Sequence, residues 1–209
     1  MNYGELQSDL LALLNRRDCT PALANSFIQS SIKRIERDLR IPSMEKSIVA
    51  TIGLVFQDGL AVPADLLQFI ALTDEDTGIE LTRTALPEIL ALQHHDKCGF
   101  PRHFARRGSK LLLGPLPARG KRLRMDYYAT FIRLVAPSDS NVLSDVAPDL
   151  ILRGALVYAA THFSDKRKAD FETDFRTMFD GVAAQALRDE LTGNAVVTPA
   201  FRFDGDWIS

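Results

Sequence analysis

The chain has 209 residues, 46% of them hydrophobic and 25% charged, with a formal net charge of -2. That length is enough to bury a sizeable core, and the near-neutral balance excludes a wholesale nucleic-acid binder. Nine of the 25 Lys and Arg nevertheless fall between Lys97 and Arg124, a stretch with no Asp or Glu, which leaves 16 basic against 27 acidic residues elsewhere. Read this way, an insertion of +9 sits in a remainder of -11. Cys19 and Cys98 are far apart and form no C-x-x-C motif, so no disulfide is expected. The first residues, MNYGELQSDL, lack the basic and apolar runs of a secretory signal, and no apolar stretch approaches the roughly 18 residues of a membrane span.

Asn2 followed by Glu5 is an Asn capping box, and Leu6, Leu10, Leu11 and Leu14 repeat at helical spacing to about Arg16. Thr20 before Pro21 restarts a helix, because Thr caps free amides while Pro at the first helical position has none to satisfy. Its apolar face is Leu23, Phe27, Ile28, Ile32, Ile35 and Leu39, and Pro42 bounds it. From Ser43 the period changes to two. Ile48, Ala50 and Ile52 alternate with Ser47, Val49 and Thr51, and Leu66 to Leu72 is apolar enough to suggest a buried strand. Asp74 to Gly78 reads as a solvated turn, Leu86 to His94 as a short helix, and Phe104 to Tyr127 as further strands around a turn with Pro115, Pro117 and Gly120. Pro148 opens a helix that is apolar nearly all round and belongs at the centre of a bundle. A last amphipathic helix runs from about Lys166 to Leu191.

The expectation is an α+β fold. A helical bundle of two N-terminal (1–42) and two C-terminal (131–191) helices carries an inserted antiparallel β-rich module with a short helix (43–130) and an extended C-terminal tail (192–209).

Three groups of residues invite chemistry. His94, His95, Asp96, Cys98 and His103 have zinc-type donors, but Gly99 and Pro101 end the helix nearby and no second ligand pair follows, so a polar helix terminus is the reading. Asp74, Glu75 and Asp76 lack the alternating ligands of a calcium loop. The run from Gly114 to Arg122 fails as a phosphate-binding loop: its spacing is one residue too long, Arg122 replaces Ser or Thr, and two prolines remove amides. No Gly-x-Ser-x-Gly elbow occurs. Neither an enzyme nor a cofactor or metal is expected.

Two surfaces invite partners instead. Arg102, Arg106, Arg107, Lys110, Arg119, Lys121, Arg122 and Arg124 form either a solvated outer face, a contact for an acidic protein surface, or a contact for a phosphate backbone. Phe201, Phe203 and Trp207 in the irregular tail either fold back on the core or anchor a partner.

The stretches YGELQSDLLALLNR, FIQSSIKRIERDLRIPSMEK, LAVPADLLQFIAL, GFPRHFARRGSKLLLGPLP with LRMDYYA, and SDSNVLSDVAPDLILRGALVYAATHF follow one another along the chain. In this order they resemble the adaptor, or head-to-tail connector, proteins of tailed bacteriophages. Asn141 to Ser144 departs from the family pattern, and the terminal tail has no matching motif. The resemblance implies a non-catalytic virion protein at the head-tail interface, assembled in the host cytoplasm. It further implies a ring of probably twelve copies, docked on the portal protein, receiving a tail or nozzle protein and passing genomic double-stranded DNA through its bore, with no membrane contact. Phe201, Phe203 and Trp207 are then the candidate portal contacts. The alternatives are a tail-completion or neck protein further from the portal, and a nucleic-acid-binding protein using the basic insertion; a hydrolase around His94, His95 and His103 comes third.

Overall fold

A computed structural model describes residues 1–53, 59–94 and 98–193. Helix α1 (Tyr3–Leu14) opens with the expected reciprocal cap: the Asn2 side chain accepts from the Glu5 amide and the Glu5 carboxylate accepts from the Asn2 amide, both at 2.9 Å. It closes at Asn15, whose left-handed backbone (φ 49°) ends the turn. Helix α2 (Pro21–Asp38) starts at Thr20, whose hydroxyl accepts from the Leu23 amide at 3.3 Å. After a single 3-10 turn at Pro42–Met44 the chain becomes extended.

The helical body is completed by α5 (Pro148–His162) and α6 (Lys168–Gly193). As its all-round apolarity predicts, α5 is central and touches α1, α2 and α6. Leu6, Leu10, Phe27, Ile28, Ile35, Leu150, Ile151, Leu156 and Phe175 share one buried cluster. Helices α2 and α5 approach most closely at Gly154. A Cβ there would lie 2.2 Å from Ser31 Oγ, which itself donates to the Ile151 carbonyl at 2.9 Å.

Between the helix pairs lie β1 (Glu45–Thr51), β2 (Leu60–Ala61), β3 (Leu66–Asp74), β4 (Thr82–Arg83), α3 (Leu86–His94), β5 (Cys98–Gly99), β6 (His103–Arg107), β7 (Lys110–Gly114), β8 (Leu116–Pro117) and β9 (Arg122–Ala129). An antiparallel three-stranded sheet has the order β1-β9-β3, and a second sheet has the order β2-β7-β6-β4. Period-two alternation on β6 and β7 gives that second sheet two cores. Phe104, Leu111 and Leu113 meet Leu72, Leu123, Met125 and Tyr127 of the first sheet, while Ala105 and Leu112 pack under Ile89 of α3.

The structure modifies the sequence reading in three places. The strand at Leu66 is an edge strand rather than a buried one: β9 takes the centre of the sheet, so β3 has one neighbour, bears two register shifts, and is buried only from Leu72 to Asp74. The short pairs β4 with β6 and β5 with β8 are parallel, so the module is not wholly antiparallel. A further helix, α4 (Val142–Val146), occupies the Asn141 to Ser144 segment, where Asn141 and Ser144 cap one another at 2.9 Å in both directions and are buried.

Candidate interaction surfaces

The eight basic residues singled out from sequence do not form one surface. Pairing of β9 with β3 sets Thr73 opposite Arg124 and Asp74 opposite Leu123, which brings the basic start of β9 against the acidic turn 74–76. Lys121 Nζ lies 3.3 Å from Asp74 Oδ2 and 3.6 Å from Asp76 Oδ2. Arg122 donates from Nε and Nη2 to Asp76 Oδ1 at 3.1 and 2.8 Å, and this hydrogen bonding holds the Asp76 carboxyl below the usual carboxylate range. Arg124 lies between Glu75 (3.6 Å) and Asp126 (3.3 Å). The acidic turn is therefore not merely solvated. Asp74 is buried, and besides Lys121 its carboxylate accepts from the Asp76 amide at 3.0 Å.

Arg102, Arg106, Arg107 and Arg119 are exposed and form no ion pair among the described residues. Arg106 donates to the Gly108 carbonyl at 3.0 Å. With Lys110, Arg106 and Arg107 flank the tip of the β6–β7 hairpin, because the register pairs Arg107 with Lys110. The sequence tally of a +9 module thus needs correction: residues 45–129, the span of the strands, hold 11 basic and 10 acidic residues. What survives internal pairing is a local positive end at the hairpin, not a charged module.

The zinc-type residues are not gathered. His94 ends α3, His103 begins β6, and His95 and Asp96 lie outside the described residues. Among the described residues no group of three or more His, Cys, Asp or Glu is placed to hold a metal ion. The cleft beside Glu36 has a buried carboxylate whose burial pushes its pKa up, yet Glu36 Oε1 is used to accept the Phe131 amide at 2.9 Å and so fixes the chain where it returns from β9. Phe201, Phe203 and Trp207 lie outside the described residues. No helix there is long and apolar enough to cross a membrane.

Two of the motifs quoted for the family resemblance meet in space. Asp65, from LAVPADL, accepts the Tyr127 phenol at 3.0 Å and the Lys46 ammonium at 2.7 Å, and its carbonyl accepts the Thr130 amide at 2.8 Å. The motif is a clasp between the two sides of the three-stranded sheet.

One feature escaped the sequence reading. The segment that leads from β9 into α4 buries Phe131, Leu134 and Leu143 but leaves Ile132 (77%), Val135 (71%), Val142 (42%) and Val146 (65%) exposed. Val142 and Val146 share a face of α4, and the Ile132 carbonyl accepts from the Asn141 side chain at 2.8 Å, so the patch is continuous along the chain fold. The sequence signal was present as Val142 and Val146 four residues apart, but it needed α4 to be recognised.

A search of the curated proteins finds no significant match. A profile of the SU10 adaptor protein family matches residues 1–199, a span that includes both helical halves and the entire β module. The chain therefore belongs to the SU10 adaptor protein family, an adaptor family of tailed bacteriophages.

Proposed function

We propose that this chain is a subunit of the ring, of twelve copies, that joins the portal vertex of a phage head to its tail and lines the channel through which double-stranded DNA leaves. The observation that carries this reading is the adaptor match over residues 1–199. The architecture supports it: the conserved-looking clasp at Asp65 and Tyr127 and the fully used carboxylates Glu36 and Asp74 serve packing, so the chain's polar groups are spent on holding shape. Its role is structural rather than catalytic, and its place is the virion, with assembly in the host cytoplasm. Phe201, Phe203 and Trp207 supply the portal contact in this reading, since aromatic side chains on an irregular terminus order readily against a groove or a sheet edge.

The test is reconstitution on portal rings followed by imaging. Wild-type protein is expected to decorate the portal as a twelvefold ring, and a chain lacking residues 195–209 is expected to keep its fold and lose attachment. Undiminished attachment of the truncated chain removes the tail contact, and failure of the wild type to bind any portal removes the ring reading. A neck protein bound further from the portal would instead bind only to particles already carrying an adaptor.

A further inference from the structure

We infer that the aliphatic patch of Ile132, Val135, Val142 and Val146 is the seat for a second copy of this chain, which presents the positive end of its β6–β7 hairpin. Four branched aliphatic side chains between 42% and 77% exposed, within 15 residues of one another in sequence, are the strongest apolar cluster on the helical body. Their neighbours on the same segment are buried, so the exposure is selective: Phe131, Leu134, Leu143 and Ala147 hold the segment down while the alternate side chains are turned out. The backbone beneath is fixed by the Asn141 and Ser144 cap, by Asn141 to Ile132, and by the Asp139 carboxylate accepting the Val135 and Ala136 amides at 2.8 and 2.7 Å. A rigid, outward-facing apolar strip is what a partner of fixed shape requires.

Charge complementarity selects the occupant. Asp145 on α4 and Asp149 on the first turn of α5 are exposed and border the patch. On the hairpin, Arg102, Arg106 and Arg107 are exposed, without ion pairs among the described residues, and Phe100 close by is 63% exposed. An apolar strip with an acidic border thus has its complement, arginines beside an exposed aromatic, on the other part of the same chain. Because the two surfaces differ, the contact is head-to-tail, the kind that propagates around a ring rather than closing at a dimer. The seat does not depend on the portal reading; only the closure into a ring of fixed copy number rests on it.

The experiment is sedimentation of the full chain over a range of concentration and salt. The wild type is expected to self-associate, more weakly as salt rises. Val146→Asp and Ile132→Asp are each expected to raise the dissociation constant about tenfold or more, with far-ultraviolet circular dichroism unchanged because both side chains are already exposed. Arg106→Glu with Arg107→Glu in one chain should weaken association similarly, and mixing that chain with a second carrying Asp145→Lys and Asp149→Lys should restore a mixed complex. A wild type that stays monomeric throughout overturns the inference, as does association unaffected by Val146→Asp. A monomer whose attachment to portal-bearing particles is lost with Val146→Asp assigns the patch to the portal and also overturns it. Self-association through the patch in a chain that binds no portal leaves the inference standing and removes the portal reading instead.

Discussion

The Tyr127 phenol donates to Asp65 Oδ1 at 3.0 Å and so joins two stretches of chain 62 positions apart. Asp65 simultaneously accepts Lys46 Nζ at 2.7 Å from β1, so one carboxylate touches both neighbours of the turn before β3. Its carboxyl lies below the usual range, chiefly through the Lys46 hydrogen bond and also through the Tyr127 hydroxyl, while burial pushes the Tyr127 phenol up.

Tyr127→Phe removes the hydroxyl but keeps the buried ring, and it is expected to cost about 1 kcal/mol. Asp65→Asn leaves an acceptor for Tyr127 and should cost a comparable amount through the loss of charge. The double variant should fall short of the sum, because the two changes share one hydrogen bond. Urea unfolding of the four proteins checks this. Additive losses would mean that Tyr127 and Asp65 are not coupled.

Gly154 is the position where a single methyl group is costly. Alanine there would bring its Cβ to 2.2 Å from Ser31 Oγ and 3.0 Å from the Phe175 ring, in the middle of the body where α2, α5 and α6 meet. Gly154→Ala is expected to destabilise by about 1 to 3 kcal/mol despite its better helix propensity. Adding Ser31→Gly should recover part of the loss, since it removes the hydroxyl that the methyl meets. Thermal melting of the single and double variants reads both effects.

Much of the body was legible because its signals are local. Asn2 with Glu5 and Thr20 with Pro21 each fix a helix start within three residues, and α5 declares its central place by being apolar on every side. What failed to read was whatever depended on pairing across the chain. The apolar run at Leu66 looked buried because its edge position follows from β9, more than fifty residues later, taking the centre of the sheet. The basic segment looked like one surface because the acidic turn that neutralises Lys121, Arg122 and Arg124 precedes them by about 47 positions. The exposed aliphatics at 132–146 were hidden for a different reason: α4 is too short for periodicity, and its cap uses Ser144 where the usual box has Glu or Gln.

Arg34 and Arg176 converge on Glu172. Arg34 makes a two-pronged contact at 2.9 and 2.6 Å, Arg176 adds one at 2.9 Å, and Arg34 also lies 4.2 Å over the Phe175 ring. The Arg34 hydrogen bonds, with Arg176 adding to them, hold the Glu172 carboxyl down at about 2. A lowered carboxylate pKa contributes stability that is present above the unfolded value and is lost as pH falls through the folded one. Glu172→Gln should therefore cost about 1 kcal/mol at neutral pH, a modest figure because the pair is partly solvated, and the difference from wild type should shrink between roughly pH 4 and pH 2. Melting temperature against pH for both proteins tests the sign: a difference that widened in acid would contradict it.

The division of the basic residues predicts two classes of variant. Asp74 is almost fully buried, and replacing it with Ala leaves both the Asp76 amide and the Lys121 ammonium short of a partner, with Lys121 itself only 16% exposed at its side chain. Asp74→Ala is expected to destabilise by about 1 to 3 kcal/mol, because a buried donor left unsatisfied costs more than a surface pair contributes. Arg122→Gln breaks only the exposed contact to Asp76 and should cost under about 1 kcal/mol. Arg107→Gln and Arg119→Gln touch no ion pair among the described residues and should stay within about 0.5 kcal/mol of wild type. Urea midpoints for the four variants should follow that order. If Arg107→Gln proved as damaging as Asp74→Ala, the hairpin arginines would be part of the fold, and their availability to a partner would fall with that result.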